Sequence, residues 1–123
     1  MNFNSLLIGS SDAERLTAYY TGLLGEPSFT GGGYSGWTIG GGAVTVGPHS
    51  EVHGPNAEPG RLIWNIETTD VAGDFARLKA AGAIVIREPY QFEAAAGAWI
   101  ATLADPDDNY FQLVTPMMTE PGS

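Results

Sequence analysis

Apolar residues along this chain follow two rhythms, and the same succession of rhythms occurs twice. An apolar run, Leu6-Leu7-Ile8, leads through Gly9 into Ser10-Ser11-Asp12. Leu16, Tyr19, Tyr20, Leu23 and Leu24 then fall at i, i+3, i+4, i+7 and i+8, the stripe of an amphipathic helix. A second run, Leu62-Ile63-Trp64-Asn65-Ile66, leads through Glu67 into Thr68-Thr69-Asp70, and Val71, Phe75, Leu78 and Ala81 give a second helical stripe. Asp70 follows Asp12 by 58 positions in a chain of 123. Self-similarity at nearly half the length marks one supersecondary unit used twice.

Local signals set the element boundaries. Ser11 is placed to cap the first helix, with Glu14 three residues on completing a capping box. Gly25 ends that helix and Pro27 prevents its continuation. Short strands are expected at 28–30, 36–39 and 43–46, separated by the turns Gly31-Gly32-Gly33 and Gly40-Gly41-Gly42. The stretch 48–60 holds Pro48, Pro55 and Pro59 without periodicity and reads as a linker. The second half predicts a strand at 61–67, a helix ending near Gly82, and strands at 83–87, 99–103 and 110–115. The fold class is therefore α+β in one domain: module one 1–47, linker 48–60, module two 61–116, and a loose polar tail 117–123.

Composition excludes several function classes. The absence of Cys rules out disulfides, thiolate metal sites and Cys nucleophiles. Fourteen acidic and five basic residues give a net charge of −9, so phosphate backbones are repelled and no nucleic-acid partner is expected. An acidic surface favours solubility and would concentrate a cationic small molecule. No apolar run reaches the roughly 20 residues that span a bilayer, so no membrane partner is expected. The N-terminus lacks the basic and apolar regions of a signal peptide, which makes the cytoplasm the default expectation.

The string Ala104-Asp105-Pro106-Asp107-Asp108-Asn109-Tyr110-Phe111-Gln112-Leu113-Val114 resembles the Asp-Pro-Asp-Gly-Asn signature that precedes the last strand in the vicinal oxygen chelate superfamily, which includes glyoxalase I, the bleomycin-resistance proteins and the extradiol dioxygenases. Ser11-Asp12-Ala13-Glu14-Arg15, with Ala18-Tyr19-Tyr20 and Leu23-Leu24-Gly25, is similar to the first helix of that family. Asp108 replaces the usual turn glycine, a substitution that a left-handed turn tolerates. The resemblance implies two βαβββ modules whose curved mixed sheets enclose a cavity, and two chains paired as a homodimer.

Enzymes of the superfamily hold a divalent metal on His, Glu or Gln of the first and last strands of each module. Carried onto this chain, those positions are Ser5, Ile63, Gln112 and one residue of the strand 43–46, where only Thr45 is polar. One neutral amide and a serine hydroxyl make a poor donor set for zinc, iron, manganese or nickel. No metal, no other cofactor and no catalytic residue is therefore expected. Glu67 shares a face with Ile63 but lies near the strand end. His49 and His53, with Glu51 between them, would suggest a metal face on a helix, but Pro48, Gly54 and Pro55 make this segment an exposed linker, from which His49 could reach the cavity mouth of a partner chain.

Strand alternation separates helix-facing from cavity-facing side chains. Leu6 and Ile8, Leu62, Trp64 and Ile66, and Phe111 and Leu113 are expected to pack beneath the helices. Ser5, Leu7, Ile63, Asn65, Tyr110 and Gln112 are expected to line the cavity, joined by Trp37 and Trp99, which suit stacking on an aromatic or cationic ligand as well as packing. No nucleophile elbow and no dinucleotide fingerprint is present, and Asp105, Asp107 and Asp108 read as turn residues in preference to a calcium loop. The leading expectation is a metal-free, bleomycin-resistance-like protein that sequesters a small organic molecule. A metal-dependent lyase or isomerase of glyoxalase type is the alternative, and a non-catalytic structural or regulatory member is the second.

Overall fold

A computed structural model describes residues 1–91 and 97–116, so the expected tail 117–123 lies outside the described residues. The chain divides into two compact units, Met1–Pro55 and Asn56–Ser123, with the boundary inside the expected linker. Unit one runs β1 (Ser5–Ser10), α1 (Ala13–Leu24), β2 (Phe29–Gly31), β3 (Tyr34–Ile39) and β4 (Gly42–Pro48). Unit two runs β5 (Trp64–Glu67), α2 (Val71–Ala80), β6 (Ile84–Gln91), β7 (Trp99–Ala104) and β8 (Tyr110–Val114). The sheets have matching orders, β1-β4-β3-β2 and β5-β8-β7-β6. In each, the first strand pairs in parallel with the last, and the remaining pairs are antiparallel. Each unit is thus a βαβββ module with a four-stranded mixed sheet. No described helix is long and apolar enough to cross a membrane.

The duplication extends to atomic detail at the helix starts. In unit one the Ser10 hydroxyl accepts from the Asp12 N–H at 2.9 Å, and the Asp12 carboxylate accepts from the Arg15 N–H at 3.3 Å. In unit two Thr68 accepts from the Asp70 N–H at 3.1 Å, and Asp70 accepts from the Gly73 N–H at 2.9 Å. The two caps share backbone angles, φ −137° and ψ 73° at Asp12 against −139° and 73° at Asp70. Asp12, not Ser11, is therefore the cap of α1. A carboxylate there satisfies a first-turn N–H and also meets the positive end of the helix dipole. The Ser11 hydroxyl accepts from the Gly54 N–H at 3.1 Å and so ties the linker to the strand end.

One helix covers one face of each sheet. Leu16 and Tyr20 of α1 are buried with Ile8, Trp37, Val44 and Val46. The Trp37 indole tilts against the Tyr20 ring at 6.3 Å and donates to the Gly25 carbonyl at 2.8 Å, which locks β3 to the end of α1. Gly25 takes φ 90°, as its role in ending α1 requires. In unit two, Val71, Phe75 and Leu78 of α2 are buried with Ala101, Leu103, Phe111 and Leu113. Leu62, expected beneath α2, is 77% exposed, because β5 begins only at Trp64 and the residues before it escape the pleat.

The turn before β8 is organised by Asp105, which is fully buried. Its carboxylate accepts from the backbone N–H groups of Asp107 at 2.8 Å and Asn109 at 3.0 Å, and from the Asn109 side-chain amide. Its lone pairs are committed to N–H donors, which accords with turn chemistry over a calcium loop. Asp108 takes φ 63°, and it alone among the described non-glycine residues has a positive φ.

Two stability outcomes follow. Asp105→Ala strands several buried donors and should cost about 3 kcal/mol, read from the urea unfolding midpoint. Asp108→Gly relieves the left-handed backbone and, after the extra freedom it gives the unfolded chain, should raise stability by about 0.5 kcal/mol in the same measurement.

Candidate functional site

Because each helix covers one face of its sheet, the other face is where side chains are free to meet a ligand. In unit one this face carries Ser5 and Leu7 of β1, both exposed, beside Ala43 and Thr45 of β4. Two aromatic rings lie over glycines on it. A Cβ at Gly36 would fall inside the Phe29 ring, and one at Gly47 inside the Tyr34 ring. The Tyr34 hydroxyl donates to the Pro48 carbonyl at 2.9 Å, which holds that ring down. The first sheet therefore offers an apolar and aromatic surface with three small hydroxyl groups, those of Ser5, Thr38 and Thr45.

The second sheet is more polar. Asn65 pairs with Gln112 across β5 and β8, Gln112 with Thr102 across β8 and β7, and Thr102 with Arg87 across β7 and β6. These four residues form one row across the sheet. Within it, Gln112 Nε2 donates to the Thr102 hydroxyl at 3.1 Å, and Thr102 is only 6% exposed. Apolar rows flank it, with Ile100 and Val114 on one side and Ala104 with Tyr110 on the other. Asn65 and Glu67 are exposed, while Tyr110 and Gln112 are half-buried.

Alternation correctly separates the faces of β1, β5 and β8, but both tryptophans stand elsewhere than expected. Trp37 pairs with Val44 and is 2% exposed in the core beneath α1. Trp99 is 43% exposed but shares its strand face with Ala101 and Leu103, opposite to Gln112. Counting strand parity from Leu103 excludes Trp99, whereas Trp37 is placed by the β3–β4 register that sets it opposite the buried Val44. Ile63 precedes β5 and is 37% exposed. Thr102, Arg87 and Tyr90 are residues that sequence reasoning missed.

His49 and His53 lie outside regular structure, both exposed, and His49 Nδ1 accepts from the Glu51 N–H at 3.1 Å.

The strand registers complete the metal-ligand positions. Leu7 and Asn65 are 58 apart, and their partners are Thr45 and Gln112, so Thr45 is the first module's counterpart of Gln112. Unit one then offers two neutral hydroxyls, Ser5 and Thr45. Unit two offers the hydrocarbon of Ile63 and one neutral amide, Gln112, whose Nε2 donates to Thr102. Glu67 pairs with Val114, not with Gln112. Among the described residues, no three His, Asp or Glu side chains converge as a metal centre requires. These residues do not fit a resident divalent metal, whose sites are built from imidazole and carboxylate donors.

A family of known proteins described as "Glyoxalase-like domain" has a sequence model that matches residues 5–114. Among solved structures, a glyoxalase-related enzyme from Fulvimarina pelagi aligns with TM-score 0.75 and 19% identity, over 100% of this chain and 96% of that one. A glyoxalase/bleomycin resistance protein/dioxygenase family enzyme from Burkholderia phytofirmans PsJN aligns with TM-score 0.75 and 20% identity, over 95% of this chain and 100% of that one. A glyoxalase/bleomycin resistance protein from Catenulispora acidiphila DSM 44928 gives 0.66 and 18%, over 94% and 97%. At these identities the likeness is one of fold. No curated protein matches the chain significantly.

Asn65 and Gln112 are direct partners, so a double change there tests the face assignment. The variant Asn65→His with Gln112→Glu should acquire saturable nickel and zinc binding in calorimetry, while the unaltered protein shows none.

Proposed function

The chain belongs to the glyoxalase-like domain family of the vicinal oxygen chelate superfamily, and we propose that it binds a small organic molecule on the open faces of its sheets without using a metal. One observation carries this reading. The positions that the family resemblance assigns to metal ligands are Ser5, Thr45, Ile63 and Gln112 here, two hydroxyls, a hydrocarbon and one neutral amide, with no imidazole or carboxylate among them. What remains suits recognition: apolar and aromatic surface with a few fixed polar groups orients a ligand by shape and hydrogen bonds. Ser5, Leu7, Ile63, Asn65, Tyr110 and Gln112 are the contact residues of this proposal. The names of two solved relatives include bleomycin resistance, which fits a binding role that ends in sequestration. The resemblance also implies a homodimer, for which light scattering at twice the chain's mass is the measurement.

Two measurements test the proposal together. Elemental analysis of the purified protein should find no near-stoichiometric zinc, nickel, iron or manganese. A thermal-shift screen of small organic molecules should find ligands that, at about 100 times Kd, add about 2.7 kcal/mol and raise Tm by roughly 10 °C. A bound transition metal at one per chain, or a broad screen without a single shift, overturns it.

A further inference from the structure

Strand β6 breaks the alternation that the rest of the sheet obeys. Val85 pairs with Leu103, yet Arg87, two residues on, pairs with Thr102, one residue back along β7. A second slip lies between Arg87 and Tyr90, which pairs with Ile100. Each slip is a β-bulge, in which two residues of one strand oppose one of its neighbour. A regular strand would set Ile86 opposite Thr102 and turn Arg87 to the helix side. The bulge brings an arginine to the open face, at the end of the row Asn65, Gln112, Thr102. The second bulge brings Tyr90 to the same face. The Arg87 guanidinium carbon lies 3.5 Å from the Tyr90 ring centroid, a stack that a regular strand forbids between residues three apart. Glu88 turns the other way and pairs with Lys79 of α2 at 3.2 Å, which fixes the helix side of β6 independently.

From this geometry we infer that the open face of the second sheet selects a small organic acid, with Arg87 receiving its carboxylate and Gln112 and Asn65 meeting its other polar groups. The inference rests on the binding role proposed above and names the ligand class for that face. Arginine presents a planar fork that matches a carboxylate with two parallel hydrogen bonds. Stacking on Tyr90 orients that fork before a ligand arrives and so lowers the entropy lost on binding. Among the described residues no carboxylate pairs with Arg87. Glu67 shares the face but stands on the opposite edge strand, three strand spacings or about 14 Å away. That exceeds the Debye length of about 8 Å at physiological salt, so the Arg87 end of the row is positive, although Glu67 stands two residues from Asn65 at the other end and the chain as a whole is acidic.

The test titrates the isotopically labelled protein with 2-naphthoate and with its neutral isostere 2-naphthamide, following backbone amide shifts by NMR. The expected result is that naphthoate shifts the amides around Arg87, Thr102 and Gln112 and binds at least roughly tenfold tighter than the amide. In Arg87→Gln that preference should vanish with the spectrum otherwise folded, and Arg87→Lys, which keeps the charge without the stacked fork, should fall between. Equal binding of both probes on this face, unaffected by Arg87→Gln, overturns the acid preference and leaves the binding role standing. No shift on this face with either probe overturns both for this sheet.

Discussion

One amphipathic helix can cover only one face of a four-stranded sheet, and that one-sidedness decides the use of nearly every residue here. Beneath α1 the covered face is filled by Ile8, Trp37, Val44 and Val46; beneath α2 it is filled by Ala101, Leu103, Phe111 and Leu113. At about 25 cal/mol per Å² of apolar area, this burial is the main favourable term holding each unit together. Because side chains alternate, the same packing sends Ser5, Asn65 and Gln112 to the opposite face. Core and site are therefore two readings of one pleat. A strand cannot shift register by one residue without exchanging them.

That coupling explains what the sequence revealed. β1, β5 and β8 are short and regular, so counting in twos from Ile8, Ile66 and Leu113 assigns their faces correctly. The ring chemistry of Trp37 and Trp99 suits a ligand, but sheet register and parity put Trp37 in the core and Trp99 on the face opposite Gln112. Ser11 was placed as a cap by residue type, but its hydroxyl serves Gly54 while Asp12 performs the capping. Of β6 the sequence shows the first half, 83–87, but not its two register slips or its continuation to Gln91, because a bulge adds a residue without changing composition. Pro89 was the available signal. Proline lacks the N–H that a ladder needs and within sheets is confined to edges, strand starts and bulges. β6 is an edge strand with two register slips.

The internal repeat preserves structure and varies chemistry. Ser10-x-Asp12 and Thr68-x-Asp70 reproduce one cap with nearly identical backbone angles, because a strand-to-helix turn must satisfy the same unpaired N–H groups wherever it occurs. The open faces carry no such obligation. Leu7 with Thr45 and Asn65 with Gln112 are equivalent pairs with different chemistry, one mostly apolar and one amide-rich. A backbone constraint thus preserved the module twice, while each exposed face was left to diverge. That is how one scaffold can present two faces of different chemistry and keep its shape.

The ligand's charge is where whole-chain and local arguments part. A net charge of −9 favours cations at long range, and composition alone points that way. Long-range fields govern approach, but the groups in contact govern selection. Salt screens the distant carboxylates, and a neighbouring guanidinium acts at hydrogen-bond distance. On the second sheet Arg87 is the charged member of the Gln112 row itself, with Glu67 on the same face at the opposite edge, and Arg87 stands there only because β6 carries one extra residue before it. Remove that bulge and Ile86 would occupy the place, leaving Glu67 as the charged side chain of the face. A single inserted position, invisible in every compositional measure, therefore decides whether a guanidinium stands beside Thr102 on this face.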